Sequence, residues 1–459
     1  MTALLGSPLR HLGLAIMGLA LAASPAAARG KKPVAPPPPP PVAVPALPSG
    51  AAVVRFYEAR SRAPIWLRGG TSSAAAQQLV AILKRAPLDG LAEGPQLAAQ
   101  AQAAMARTQA TPAAAIDTEV LLSAMWVQYV QKLRAPVAGV IYGDKHLSPK
   151  AAPPEQILTQ LAQAPSLEQH VSTVSTVNPI YSQLRAAAWT QAQAGGVASL
   201  DARVRSTLDR TRLFPSKGRY MVADVATARL LLFEDSNMVD SMKIIVGKRD
   251  YQTPMIASTM HYATLNPYWN IPIDVVKRTV APLIVKRGTG YLKAARYEVA
   301  SDWTDQATVV PPEEVDWKAV AAGEKEVRIR QLPGKGNMMG AIKFPFANDL
   351  GIYLHDTPLK HLFAKDRRTL SLGCVRVEDA KRLGRWLFQS DPKTDSTLPE
   401  QHVQLPTPVP IYLTYLTAHA DSGQLTFADD VYGIDPKPET QLATAPAEAA
   451  GNAVASAAQ

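Results

Sequence analysis

Residues 371–376 read Ser371-Leu372-Gly373-Cys374-Val375-Arg376, and Cys374 is the only cysteine among 459 residues. A single cysteine cannot close an internal disulfide, which leaves a buried apolar residue, an intermolecular bridge or a reactive thiol. The neighbours favour the thiol. Gly373 allows a tight turn beside the sulfur, Arg376 brings positive charge, and Ala380, Leu383 and Leu387 open a helical pattern shortly afterwards. Cations and helix N-termini both favour thiolate over thiol. Upstream, Tyr353-Leu354-His355-Asp356-Thr357-Pro358 offers His355 as a base for that thiol.

Outward from this stretch the texture is that of short strands. Arg219 to Val225, Ala228 to Glu234, Ser241 to Val246, Met260 to Leu265, Gly351 to His355 and Val409 to Leu416 are rich in branched residues and bounded by turn signals. Residues 273–328 interrupt them with a charged, mixed pattern containing Tyr291, Trp303 and Trp317, an insertion long enough to form an ordered subdomain or lid. Residues 51–215 are alanine-rich and helical instead. Leu79, Ile82, Leu83 and Ala86 mark one apolar face and Leu122, Trp126, Val130 and Leu133 another. Ile157, Leu158 and Leu161 mark a third helix, and Tyr181 to Thr190 a fourth. The fold class expected is therefore α+β: an N-terminal helical scaffold, then a mainly β domain over residues 216–435 carrying an insertion at 273–328.

The ends are of another kind. Residues 1–28 read as a secretory signal, with Arg10 and His11 before the apolar run Leu12 to Ala23 and a small-residue cleavage site at Ala26-Ala27-Ala28. The run is short for a membrane span. Residues 29–50 form a proline-rich linker, with an unbroken run from Pro36 to Pro41 that favours polyproline II, and residues 436–459 lack any apolar repeat. The formal charge of +10 suits an anionic partner. For an exported protein, cell-wall polymer fits that role better than nucleic acid. Gly334-Lys335-Gly336 only superficially resembles a nucleotide loop, because the Lys-Ser/Thr ending and following helix are missing.

The second half resembles the L,D-transpeptidase (YkuD-type) catalytic domain. His355 and the Ser371-Leu372-Gly373-Cys374-Val375-Arg376 string match that family's histidine and Ser-x-Gly-Cys-x-Arg pattern, with Leu372 where relatives often have histidine. Val246-Gly247-Lys248 with Gln252-Thr253-Pro254 resembles its Gly-Lys…Thr-Pro turn, and Asn266-Pro267-Tyr268-Trp269-Asn270-Ile271-Pro272 its Asn-Pro-x-Trp-x-x-Pro segment. Arg330-Gln331-Leu332-Pro333-Gly334, Asn337 and Lys343-Phe344 match the approach to the site. Phe56-Tyr57, Arg60, Pro64 and Trp66, with Asn178-Pro179-Ile180-Tyr181 and Leu184-Arg185, resemble the scaffold domain of the large periplasmic YcbB-like subgroup, in which 273–328 would be the substrate cap. The peptidoglycan-binding module usual in that subgroup has no room before Leu208 to Pro215.

The resemblance implies a periplasmic enzyme that acts on peptidoglycan tetrapeptide stems as donor and acceptor. Cys374 would form a thioester as D-alanine leaves, and an amine of a second stem would take the acyl group in a 3→3 cross-link. It implies no metal and no organic cofactor, no nucleic acid, and no stable membrane span after signal cleavage. Other wall-synthesis enzymes are conceivable partners. His355 would be the base, the Asp356 backbone carbonyl would orient it, and the Gly373 N–H would serve the oxyanion. Arg376, Ser371, Tyr353, Asn337, Trp269 and Arg330 are the expected substrate-binding residues, with Trp269 also readable as core and Arg376 and Ser371 as loop braces. Water, a free D-amino acid or a lysine amine as acceptor are open alternatives, as is a non-catalytic wall-binding scaffold.

Overall fold

A computed structural model of the chain describes residues 43, 45–68, 71–304, 306–393 and 398–436. The expected signal peptide, two thirds of the proline-rich linker and all but the first residue of the C-terminal tail lie outside the described residues. Contacts separate residues 1–41 from residues 42–459, and only the second unit is treated below.

Its N-terminal part is helical. The helices Ala74–Arg85, Pro112–Leu133, Leu167–Thr176 and Pro179–Gly195 begin where the sequence supplies a cap: Ser73, Thr111, Ser166 and Asn178 each accept a backbone N–H of the first turn. Pro112 and Pro179 occupy early positions that have no helical partner to lose. Among the described residues this part also holds the α-helices Gly50–Ala59, Gly94–Arg107, Pro154–Ala162 and Ala202–Thr211. Trp66, Trp126, Tyr57, Tyr129 and Tyr181 fill the core between them.

Two buried carboxylates organise that core. Glu119, 2% exposed, accepts the N–H groups of Ile65, Trp66 and Leu67 and the Tyr57 hydroxyl. Asp89 accepts Tyr129 Oη at 3.0 Å and Arg185 Nη1 at 2.9 Å, and the Tyr181 hydroxyl as well. A buried carboxylate persists only where donors replace its water.

From Arg219 the chain becomes strand. Arg219–Asp224, Arg229–Glu234 and Asn237–Gly247 form an antiparallel meander. Asn237–Gly247 pairs with Val375–Val377, which pairs in parallel with Tyr353–His355, which pairs with Ile342–Pro345. Gln401–Thr414 runs parallel to Arg219–Asp224 and antiparallel to Ile256–Leu265. Ile256–Leu265 in turn meets Ile342–Pro345 and closes the barrel. Phe344, Leu354, Val375, Ile244, Met260 and Ile411 point into one core, covered on one side by the helix Ala380–Phe388. Residues 273–328 lie between the barrel strands Ile256–Leu265 and Ile342–Pro345. Short helices and the strands Tyr297–Ala300, Val309–Val310 and Arg328–Gln331 pack around Ile271, Val280, Ile284 and Trp317.

The helical and β parts interlock more than a boundary at residue 215 suggests. Ile141–Tyr142, within the helical region, adds a parallel strand to Ile256–Leu265. The terminal hairpin Ala418–Asp421 and Gln424–Phe427 returns to the helices, and Ala418 belongs to their core. Thr207 Oγ1 accepts the N–H groups of Thr417 and Ala418. Among the described residues no helix is long and apolar enough to cross a membrane.

Glu119→Leu strips the partners from three buried N–H groups, and urea denaturation should show a loss of about 3 kcal/mol. A loss under about 1 kcal/mol would mean that these donors find other partners.

Candidate active site

The site lies on one face of three neighbouring strands. In the register, Lys343 faces His355 and His355 faces Arg376, while Leu354 faces Val375. Leu354 and Val375 are fully buried in the barrel core. Side chains alternate along a strand, so Tyr353, His355, Cys374, Arg376 and Lys343 share the opposite face. Cys374 immediately precedes Val375 and therefore stands beside Tyr353.

His355 is 3% exposed, and its Nδ1 lies 2.6 Å from the Asp356 carbonyl oxygen. A carbonyl only accepts, so Nδ1 carries the proton and Nε2 keeps its lone pair. The Asp356 side chain is engaged elsewhere, with Oδ1 2.7 Å from Lys360 Nζ and Oδ2 accepting the Ala341 N–H at 2.9 Å. Gly340 makes the second contact possible: its φ is +63°, and a Cβ there would fall 2.3 Å from Asp356 Oδ2.

The cysteine loop is braced from beneath. Ser371, 2% exposed, donates its hydroxyl to the Cys374 carbonyl at 2.6 Å and accepts the Gly373 N–H at 3.2 Å. Thr253 Oγ1 donates to the Gly373 carbonyl at 2.6 Å and accepts the Gly247 N–H at 2.9 Å. Tyr432 Oη donates to the Gly247 carbonyl at 2.6 Å and accepts the Thr253 N–H at 3.2 Å. Gly373 has φ +113°, a region L residues rarely enter.

Several expectations change here. The Gly373 N–H is held by Ser371 and is not offered to an oxyanion. The Cys374 N–H makes none of the turn or side-chain hydrogen bonds found among the described residues. Asn337, 1% exposed, donates to the carbonyls of Pro267, Gln331 and Leu332 and accepts the Met339 N–H. It therefore braces its loop, with its amide hydrogens committed to backbone carbonyls. Arg330 pairs with Glu298 and lies 4.2 Å from the Tyr268 ring centroid, tying the insertion to its root. Trp269 packs edge-on to Tyr297 within the insertion's core. Ser371 is likewise a loop brace.

The electrostatics also differ from a poised thiolate. Burial pushes the Cys374 thiol above its ordinary value. Hydrogen bonds from the Tyr353 N–H and hydroxyl, and the charges of Lys343 and Arg376, pull the other way without cancelling it. Burial and the Arg376 charge push His355 down to about 3 against the opposing pull of the Asp356 carbonyl. Both groups are neutral at pH 7. Sγ lies 3.6 Å from the Gly351 carbonyl oxygen, a resting partner for the thiol proton. The expected help from the following helix is absent too, because strand Val375–Val377 intervenes and Asp379 caps the Arg382 N–H.

Thr253 and Tyr432 are the supports that sequence reading missed. Thr253 was visible only as part of a turn, and Tyr432 lies far along the chain in no motif. The insertion touches the site's edge through Tyr251 Oη, which donates to Asp274 Oδ2 at 3.0 Å. Among the described residues no cluster of His, Cys, Asp and Glu could hold a metal ion.

A neutral thiol reacts slowly with iodoacetamide, so alkylation of Cys374 should accelerate with pH through 9 and beyond. A plateau already reached below pH 7 would indicate a thiolate–imidazolium pair and contradict the neutral one.

Comparison with known proteins places this geometry. Residues 218–411 match the family model of the L,D-transpeptidase catalytic domain (YkuD), and residues 51–187 match that of a scaffold domain. A Haemophilus influenzae protein carrying the provisional name L,D-transpeptidase is 24% identical over 392 residues, covering 83% of this chain and 78% of its own. Two solved structures align at 11% identity and a TM-score of 0.22. The L,D-transpeptidase from Mycobacterium smegmatis aligns over 42% of this chain and 58% of its own. The Ldtfm–avibactam carbamoyl enzyme aligns over 44% and 51%. The chain thus spans a little over half the length of those two structures. Residues 218–411 are thus a YkuD-type L,D-transpeptidase catalytic domain, preceded by a scaffold domain at residues 51–187.

Proposed function

We propose that this protein is an exported, periplasmic L,D-transpeptidase that forms 3→3 peptidoglycan cross-links through a thioester on Cys374. The observation that carries the reading is the His355 ring. Its Nδ1 is committed to the Asp356 carbonyl and its Nε2 is free on the face that also bears Cys374. Export rests on the basic, apolar and small-residue order of residues 1–28.

The thiol proton passes to His355 Nε2 as Sγ turns from the Gly351 carbonyl and attacks the carbonyl carbon of the third stem residue. The C–N bond to the terminal D-residue breaks, and Nε2 returns the proton to the leaving amine. An amine of a second stem then attacks the thioester and gives its proton to Nε2. The C–S bond breaks and the thiolate is reprotonated. We assign the Cys374 N–H to the developing oxyanion, because the Gly373 N–H is already held. A neutral imidazole is the form this sequence needs at its start, which a value near 3 supplies across the physiological range. The insertion, latched by Tyr251 and Asp274, would cover the bound stems.

Incubation with purified tetrapeptide muropeptides and mass analysis should yield 3→3 dimers and released D-alanine. Cys374→Ala should lose at least 10³-fold of this activity, and a carbapenem should add covalently to Cys374 in the parent protein. Tripeptides without any dimer would replace cross-linking by carboxypeptidase action. No adduct, together with full activity in Cys374→Ala, would overturn the assignment.

A further inference from the structure

Two cations on the site face have no anionic partner. Among the described residues neither Lys343 nor Arg376 forms an ion pair, and neither side chain donates a hydrogen bond within the protein. Arg376 is half-buried, where an unpaired guanidinium is costly. The two flank His355 directly in the register. Adjacent strands stand about 4.8 Å apart, so their Cα atoms are roughly 10 Å apart across the histidine. Two long side chains can converge over that gap on a single anion.

Lys343 also leans toward the thiol. Its Nζ lies 4.8 Å from the centroid of the Tyr353 ring, and Tyr353 is the residue beside Cys374. The cation–π contact keeps the ammonium above the ring but leaves its hydrogen-bonding capacity free. Among the described residues no nearby carboxylate forms an ion pair with it; Glu400, whose charge reaches Tyr353, accepts the Tyr268 N–H. Asp356 is held by Lys360 and the Ala341 N–H, and Glu378 accepts the Lys243 N–H. The ammonium therefore has no ion-pair partner among the described residues at the place where a substrate would lie.

We propose that Lys343 is a specificity-determining residue which, with Arg376, binds a carboxylate of the donor peptide beside the scissile amide. The proposal rests on the reading that Cys374 accepts an acyl group from a stem peptide. Such a donor carries the C-terminal carboxylate of the leaving residue close to that amide, and a second one where the third residue is diaminopimelate, the residue that the resemblance implies. The chemistry required of Lys343 is the same for both.

The test measures peptide affinity by calorimetry in full-length Cys374→Ala protein, with and without Lys343→Met or Lys343→Arg. The probes are a tetrapeptide stem with free carboxylates, its C-terminal amide, and its third-residue side-chain amide. Lys343→Met should weaken the free stem about tenfold, as expected for one charge-assisted hydrogen bond. It should leave one of the two amides unaffected, and that amide identifies the carboxylate. Lys343→Arg should restore most of the affinity. Equal weakening of all three peptides, or of none, overturns the proposal. Because affinity is read without turnover, absence of cross-linking by the parent protein bears only on the reaction assigned above.

Discussion

The parallel pairing of Tyr353–His355 with Val375–Val377 decides which way every reactive side chain points. Leu354 and Val375 meet in the barrel core, so their neighbours in sequence are turned to the opposite face. A slip of one residue would send His355 into the core and Leu354 into the cleft. The register is guarded from both sides. The Asp356 N–H donates to the Ile342 carbonyl while its side chain caps Ala341, and the cysteine loop hangs from Thr253, Tyr432 and Ser371.

Given that register, the site's electrostatics follow from burial. A His enclosed in the protein and flanked by two cations stays neutral, and a thiol enclosed nearby stays protonated. The pair does not store a charge separation at rest. Proton transfer between the two neutral groups is deferred until a substrate carbonyl is present, when the oxyanion donor can stabilise the result. The raised pKa that quiets the thiol also slows its indiscriminate alkylation or oxidation.

Much of this was legible in the sequence because it depends on local chemistry. The lone Cys374 with Gly373 and Ser371, the upstream His355, and the branched runs at 219–225 and 228–234 declare themselves by composition and spacing. So do the helix faces at Leu79 and Trp126. What escaped depends on contacts between distant segments. Helices such as Gly94–Arg107 are so rich in alanine that no apolar stripe stands out. Asn337 and Arg330 lie in the right motif, yet only the folded loop shows Asn337 bracing backbone carbonyls and Arg330 paired with Glu298. Likewise the Gly373 N–H looks available until the Ser371 hydroxyl is seen beneath it. The edge strand Ile141–Tyr142 is two residues long, too short to carry a period.

The interlocking of the two parts bears on the order in which the chain can assemble. Gln401–Thr414 lies between Arg219–Asp224 and Ile256–Leu265, so the barrel stays open until residues almost two hundred positions downstream have arrived. The helices at 50–211 pack chiefly against one another, so they could form while the rest of the chain is still emerging. Their strand Ile141–Tyr142 would then stand as a template for Ile256–Leu265, and the terminal hairpin, seated on Thr207, would close the structure last. In that order of events the helical part would be the template on which the β-barrel that bears the thiol is completed.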